Sequence, residues 1–109
     1  MATVGVQHYQ MYIGGEWVDA DELYEIRHPA NEELVATAAR GTVQHADRAV
    51  EAARESFESG SWAGAPAEER SALLMEIANR LSASMDELAE LESAQNGATI
   101  RQAVGFHVG

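Results

Sequence analysis

The side chains that could do chemistry in this 109-residue sequence are 18 acids and 4 histidines, with no cysteine and no lysine beside them. Nucleophilic catalysis needs an activated attacker next to a base, and the two residue types most often tuned for that work are missing. His8, His28, His45 and His107 fall in loops, at a strand end and at helix starts. They form no serine–histidine–acid grouping and no H-x-x-x-H or H-E-x-x-H spacing that would hold a metal, so each reads as a surface residue. Paired carboxylates do acid–base work when burial separates their affinities for a proton. Glu68 and Glu69 instead fall in the first turn of a helix, and Glu51, Glu55 and Glu58 on a helical outer face. Glu92 is the one acid close to an apolar stripe, where a hydrogen bond to neighbouring backbone is expected. Gly14-Gly15 sits between two β-rich runs, which marks a hairpin turn rather than the glycine-rich strand-to-helix turn that cradles a pyrophosphate. Trp17 and Trp62, beside a turn and a helix end, are expected to fill gaps in a core. The expected sets of catalytic, cofactor-binding and metal-binding residues are therefore all empty: none of each.

The formal charge of −11 repels phosphate backbones and anionic membrane surfaces, and the seven arginines are scattered. Partners are therefore expected to include no nucleic acid and no membrane. The first ten residues lack the basic and apolar regions of a signal peptide. The longest aliphatic run, residues 72–75, is far below the ~18 residues of a membrane span. A soluble, cytoplasmic protein is expected.

The elements that must position these residues follow from the apolar pattern. Residues 1–9 carry no period and are expected to be a flexible lead-in. Residues 10–13 and 16–18 read as strands around the Gly14-Gly15 turn. Residues 23–28 alternate apolar and polar up to Pro29, residues 29–32 make a tight turn, and residues 33–41 run extended. From Thr42 the period changes: Val43, Ala46, Val50, Ala53 and Phe57 recur at steps of three and four on one helical face. Thr42 can cap that helix, Arg48/Glu51 and Arg54/Glu58 lie one turn apart on its wet side, and Gly60 ends it. Pro66 suits the first turn of a second helix with the stripe Leu73, Leu74, Ile77, Ala78 and Leu81. Ser84 and Glu87 have capping-box spacing for a third, carrying Leu88, Leu91 and Ala94 and stopped by Asn96-Gly97. Thr99 and Gln102 have the same spacing for a fourth pattern begun by Ile100, Ala103, Val104 and Phe106. Much of the apolar content is alanine, so the core is expected to be thin unless other protein surface completes it.

Several of these segments, in this order, resemble the opening of the aldehyde dehydrogenase family. Met11 to Val18 is similar to the family's first hairpin, and His28-Pro29-Ala30 stands where Asn-Pro-Ala is usual. Asp47 to Arg54 with Phe57 and Trp62 resembles the first family helix and the tryptophan closing it. Pro66 to Arg70 with Leu73-Leu74 resembles the start of the second, and Asp86 to Ser93 followed by Asn96-Gly97 the third. The resemblance runs from about Tyr9 to Val104. Two departures stand out: His28 for asparagine, and Asn96-Gly97-Ala98 where a Gly-Lys-Pro-like triplet is common. Neither touches a catalytic group.

The resemblance implies a truncated N-terminal segment of an NAD(P)-dependent enzyme that oxidises aldehydes to acids. In complete members a cysteine thiolate attacks the carbonyl, hydride passes to NAD or NADP, and a glutamate-activated water releases the acid. Those parts lie downstream of the matched region. The expected architecture is an α+β fragment of an α/β fold: two hairpin-like strand pairs, three helices and the start of a fourth. Strands are placed at about 10–41 and helices at about 43–109, forming one incomplete domain portion over 10–109. No cofactor is expected on this chain alone, NAD or NADP being implied for the complete enzyme. Association with the remainder of the enzyme or with homologous subunits is expected. The other reading is a small acidic interaction module that docks on a partner such as a full-length dehydrogenase subunit.

Overall fold

A computed structural model describes residues 5–108. The first strand, β1 (Gln7–Tyr9), lies within the segment read as a lead-in. It pairs in parallel with β5 (Leu34–Ala39), placing His8 opposite Thr37. All three of its residues are exposed, so burial imposes no alternation on it. That is why this part of the expected lead-in is corrected to a strand; residues 1–4 lie outside the described part.

The hairpin forms as expected from β2 (Met11–Ile13) and β3 (Glu16–Val18), with Ile13 opposite Glu16. Its turn puts Gly14 at φ 62° and Gly15 at φ 86°, the left-handed region that glycine enters without steric cost. β4 (Leu23–Arg27) runs antiparallel to β5 and completes a three-stranded sheet in the order β1-β5-β4. The turn between them is closed by His28 in an unexpected way. Its Nδ1 accepts the Ala30 N–H at 3.1 Å, the local side-chain-to-backbone bond that an asparagine makes in such a turn.

Four helical segments follow. α1 (Val43–Glu58) starts at Thr42, whose hydroxyl accepts the His45 N–H, while the His45 ring accepts the Thr42 N–H at 3.1 Å. Histidine thus takes the part that glutamate has in the usual capping box. Thr42→Ala is expected to destabilise α1 by about 1 kcal/mol, read as faster hydrogen exchange through its first two turns; unchanged exchange there would show that the cap is idle.

α2 (Ala67–Ala83) begins behind Pro66 and runs into α3 (Met85–Asn96) with only Ser84 between. The capping box expected at Ser84 and Glu87 is absent. Ser84 sits at φ −104° and ψ 11°, and its side chain makes no cap bond, because its own N–H still closes the end of α2 on Arg80 and Leu81. α3 stops at Gly97, at φ 79°. The box at Thr99 and Gln102 forms and opens α4 (Ile100–Gln102), which passes into a π-helical segment, Ala103–Val108.

The buried apolar side chains among the described residues are Ile13, Ala36, Ala39, Ala89 and Ala103, four of them alanines. No side chain of α1 or α2 is buried. The radius of gyration is 17.3 Å, against about 13 Å for a compact domain of this length.

Candidate functional site

The largest chemical feature of the molecule is the surface its helices leave bare. α1 rests on the hairpin through small residues: Ala49, Ala52 and Ser56 line the same depression as Tyr12, Ile13 and Gly14. A Cβ on Gly14 would lie 3.4 Å from that of Ala52. The stripe of Val43, Val50 and Phe57 lies about 130° further round the helix and is 73 %, 66 % and 78 % exposed. On α2, Leu73, Leu74, Ile77 and Leu81 are all about half exposed. The periodic residues that read as core faces are therefore uncovered within this chain. The tryptophans are likewise not core plugs here. Trp17 packs tilted against Tyr12 with ring centroids 4.9 Å apart at 58°, and both rings face solvent, as Trp62 partly does.

Two polar clusters join elements distant in sequence. In the first, His8 bridges Thr37 Oγ1 at 3.1 Å and Asp19 Oδ1 at 3.0 Å, tying β1 to β5 and to the end of the hairpin. A hydroxyl, an imidazole and a carboxylate in series resemble a catalytic triad in composition. Here Asp19 Oδ1 also accepts the Ala20 N–H, and Thr37 lies in the central strand of the sheet, opposite His8 on one side and Glu25 on the other, so the series reads as a tie between strands. In the second, Glu92 is corrected from a backbone-bonded acid to a side-chain hub. Its Oε1 accepts from Asn96 Nδ2 at 2.6 Å and from His107 Nδ1 at 2.7 Å, and its Oε2 from Gln95. This hub clips the π-helical segment to α3. Neither cluster could be found from spacing, because the partners are separated by up to 29 and 15 residues. His28 and His45 each serve backbone caps and meet neither cluster.

Hydrogen bonds from Ala20 N–H and then from His8 hold Asp19 below the usual carboxylate range. Those from His107 and then Gln95 do the same for Glu92. A lowered folded-state value means that the stabilisation is complete above the ordinary carboxylate range and is lost as pH falls through the folded value. Below about pH 4, amides of residues 7–9 and 103–108 are expected to lose hydrogen-exchange protection, and Glu92→Gln should erase the acid step at 103–108. A step that survives in that variant would place the titrating group elsewhere.

A pyrophosphate is held by free N–H groups at a helix start. At the start of α1 Thr42 takes the His45 N–H, and the groove of about 530 Å³ before it is lined by Asp19, Asp21 and Glu22 together with Arg40 and His45. The first turn of α2 carries Glu68 and Glu69, and that of α3 Asp86 and Glu87, charges that disfavour a second anion there. Among the described residues, no three His, Asp or Glu side chains group as a metal site, and no helix is long and apolar enough to cross a membrane.

Comparison with known proteins gives this geometry a context. The family model described as "Aldehyde dehydrogenase family" matches residues 17–109. The cytosolic 10-formyltetrahydrofolate dehydrogenase of Pongo abelii is 35 % identical over 109 residues, covering 98 % of this chain and 12 % of that protein. The crystal structure of an NAD-dependent aldehyde dehydrogenase from Sinorhizobium meliloti superposes with a TM-score of 0.87 at 34 % identity, over 92 % of this chain and 20 % of that one. A betaine aldehyde dehydrogenase from Staphylococcus aureus, solved in complex with NAD+, gives 0.83 at 36 %, over 87 % and 19 %. The chain thus spans an eighth to a fifth of the proteins it matches.

Proposed function

Because this chain belongs to the aldehyde dehydrogenase family, we propose that it is the N-terminal scaffold of an enzyme that oxidises aldehydes to carboxylic acids with NAD or NADP, and that it is inactive by itself. Its part is to supply the hairpin, the edge sheet and three helices that pack on the rest of that fold. The observation that carries this reading is the bare surface. The accessible area is 8643 Å², whereas a folded monomer of this mass exposes about 5,900 Å². The surplus, roughly 2,700 Å², is about three times what one partner buries in a standard interface. It fits a piece of a single fold better than the second reading, an acidic module docking on a complete dehydrogenase subunit. That second reading draws on the same stripes of α1 and α2 and needs only a part of them.

The test is to mix the chain with the Sinorhizobium meliloti enzyme from which the corresponding segment has been deleted. The expected result is a one-to-one complex and reduced-nicotinamide absorbance with short aldehydes, absent for either piece alone. Turnover by the chain alone would overturn the inactive-scaffold reading. Binding to the complete enzyme but not to the deleted one would favour the docking module.

A further inference from the structure

The pair Asn96-Gly97 ends α3 and also carries a reaction of its own. The amide carbon of an asparagine is electrophilic, and the backbone nitrogen of the next residue can close a five-membered ring on it. Glycine leaves that approach open because it has no Cβ. Asn96 is solvent-exposed, so water has access, yet three bonds hold the pair apart from this chemistry. The Gly97 N–H donates to Ser93 O at 3.0 Å, which engages the nucleophile in the helix ladder. Asn96 Oδ1 accepts the Ala98 N–H at 2.7 Å, and Nδ2 donates to Glu92 Oε1 at 2.6 Å, which fixes the amide. The Ser93 hydroxyl adds a bond to Ala98 O at 2.6 Å and steadies the residues after the cap.

We propose that Asn96 is a self-modifying site, silent while the end of α3 is closed and converted to an acid whenever that end opens. In the step, Gly97 N gives up its proton to solvent and attacks Asn96 Cγ. The Cγ–Nδ2 bond breaks, and ammonia departs with a proton taken from water. Water then opens the ring at either carbonyl, leaving aspartate or isoaspartate at position 96. No electrons are exchanged with any other group.

The product undoes the contact that restrained its precursor. A carboxylate replaces the Nδ2 donor against Glu92 Oε1, so two like charges meet where a hydrogen bond stood. The new charge also lies at the negative end of the α3 dipole. In the isoaspartate form an extra backbone methylene enters just before the left-handed Gly97. The Glu92 hub that holds His107 is thereby loosened, and 103–108 is released from α3. This inference is independent of the proposed enzyme role.

The experiment follows the chain by peptide mapping during incubation in mildly alkaline buffer, with and without denaturant, alongside the folded Glu92→Ala variant. Acid at position 96 is expected to accumulate at least about tenfold more slowly in native buffer than in denaturant, with Glu92→Ala between the two. An unreactive Asn96 in denaturant, or equal rates in both conditions, would overturn the proposal, whether the cap fails to protect or fails to form. A Glu92→Ala rate equal to that of the unsubstituted chain would remove Glu92 from the lock. For the consequence, Asn96→Asp is expected to lose hydrogen-exchange protection across 103–108; protection equal to that of the unsubstituted chain would overturn that half.

Discussion

Heated by itself, the chain is expected to lose its helices over a broad range and to absorb well under half of the ~75 kcal/mol that a well-packed domain of this length takes up at its melting point. Unfolding enthalpy reflects contacts that are broken, and few side chains here are surrounded. Among the described residues five apolar side chains are buried, four of them alanines whose burial removes little area from water. α1 and α2, of 16 and 17 residues, bury no side chain. Helices in proteins draw most of their stability from a packed apolar face, and here that face is bare. The Glu76–Arg80 pair, at 2.7 Å and one turn apart, adds about 0.3–0.5 kcal/mol at an exposed site, and the Thr42 cap about 1 kcal/mol. Neither replaces a core. The better-packed unit is the β4–β5 sheet with α3 lying over it, so protection should concentrate there and be least in α2. Differential scanning calorimetry decides the matter: a sharp transition well above ~65 °C with the full enthalpy would mean that the bare faces need no partner.

What could be read from the sequence and what could not divide along the range of the interactions. Thr42, Gly14-Gly15, Gly97 and the Thr99/Gln102 box act on backbone within four residues, and all four do in the structure what their chemistry dictates. Ser84 has the same local spacing but fails as a cap, because α2 extends right up to it and fixes its backbone. β1 leaves no mark in the sequence because its pairing with β5 spans 29 residues and it buries no side chain. The three-and-four spacing of α1 identified a helix and its apolar stripe. It did not say which face the chain itself would cover, and the hairpin in fact sits on the small-residue face. Arg48, placed opposite Glu51 by spacing, reaches Glu16 at 4.0 Å because the hairpin brings that acid to it. The passage from α4 to a π-helical segment leaves no mark in apolar spacing. As for chemistry, the absence of a thiol is plain from composition, whereas the His8 and Glu92 clusters are made only by the fold, from residues up to 29 and 15 positions apart.

The substitution that separates a bare helix from an unfinished core is Phe57→Ala. In the free chain the ring is 78 % exposed, and surface changes of this kind stay within about 0.5 kcal/mol, so helix content by circular dichroism should barely move. If α1 lies under the remainder of an aldehyde dehydrogenase fold, the same ring fills a packed site, where truncating phenylalanine to alanine costs about 3–5 kcal/mol. Binding to the deleted Sinorhizobium meliloti enzyme is then expected to weaken by at least about 100-fold. Glu58→Gln, on the neighbouring polar side of the helix, should change it little. The two readings of function part here as well. A docking module that uses only the α2 stripe of Leu73, Leu74, Ile77 and Leu81 would bind equally well without the phenylalanine, whereas a fold that closes over both helices would not. Isothermal titration of the two variants against the unsubstituted chain reads the difference directly. Equal affinities for Phe57→Ala and the unsubstituted chain would mean that α1 stays bare in the assembled protein, and that its apolar stripe is not the surface on which the rest of the fold is built.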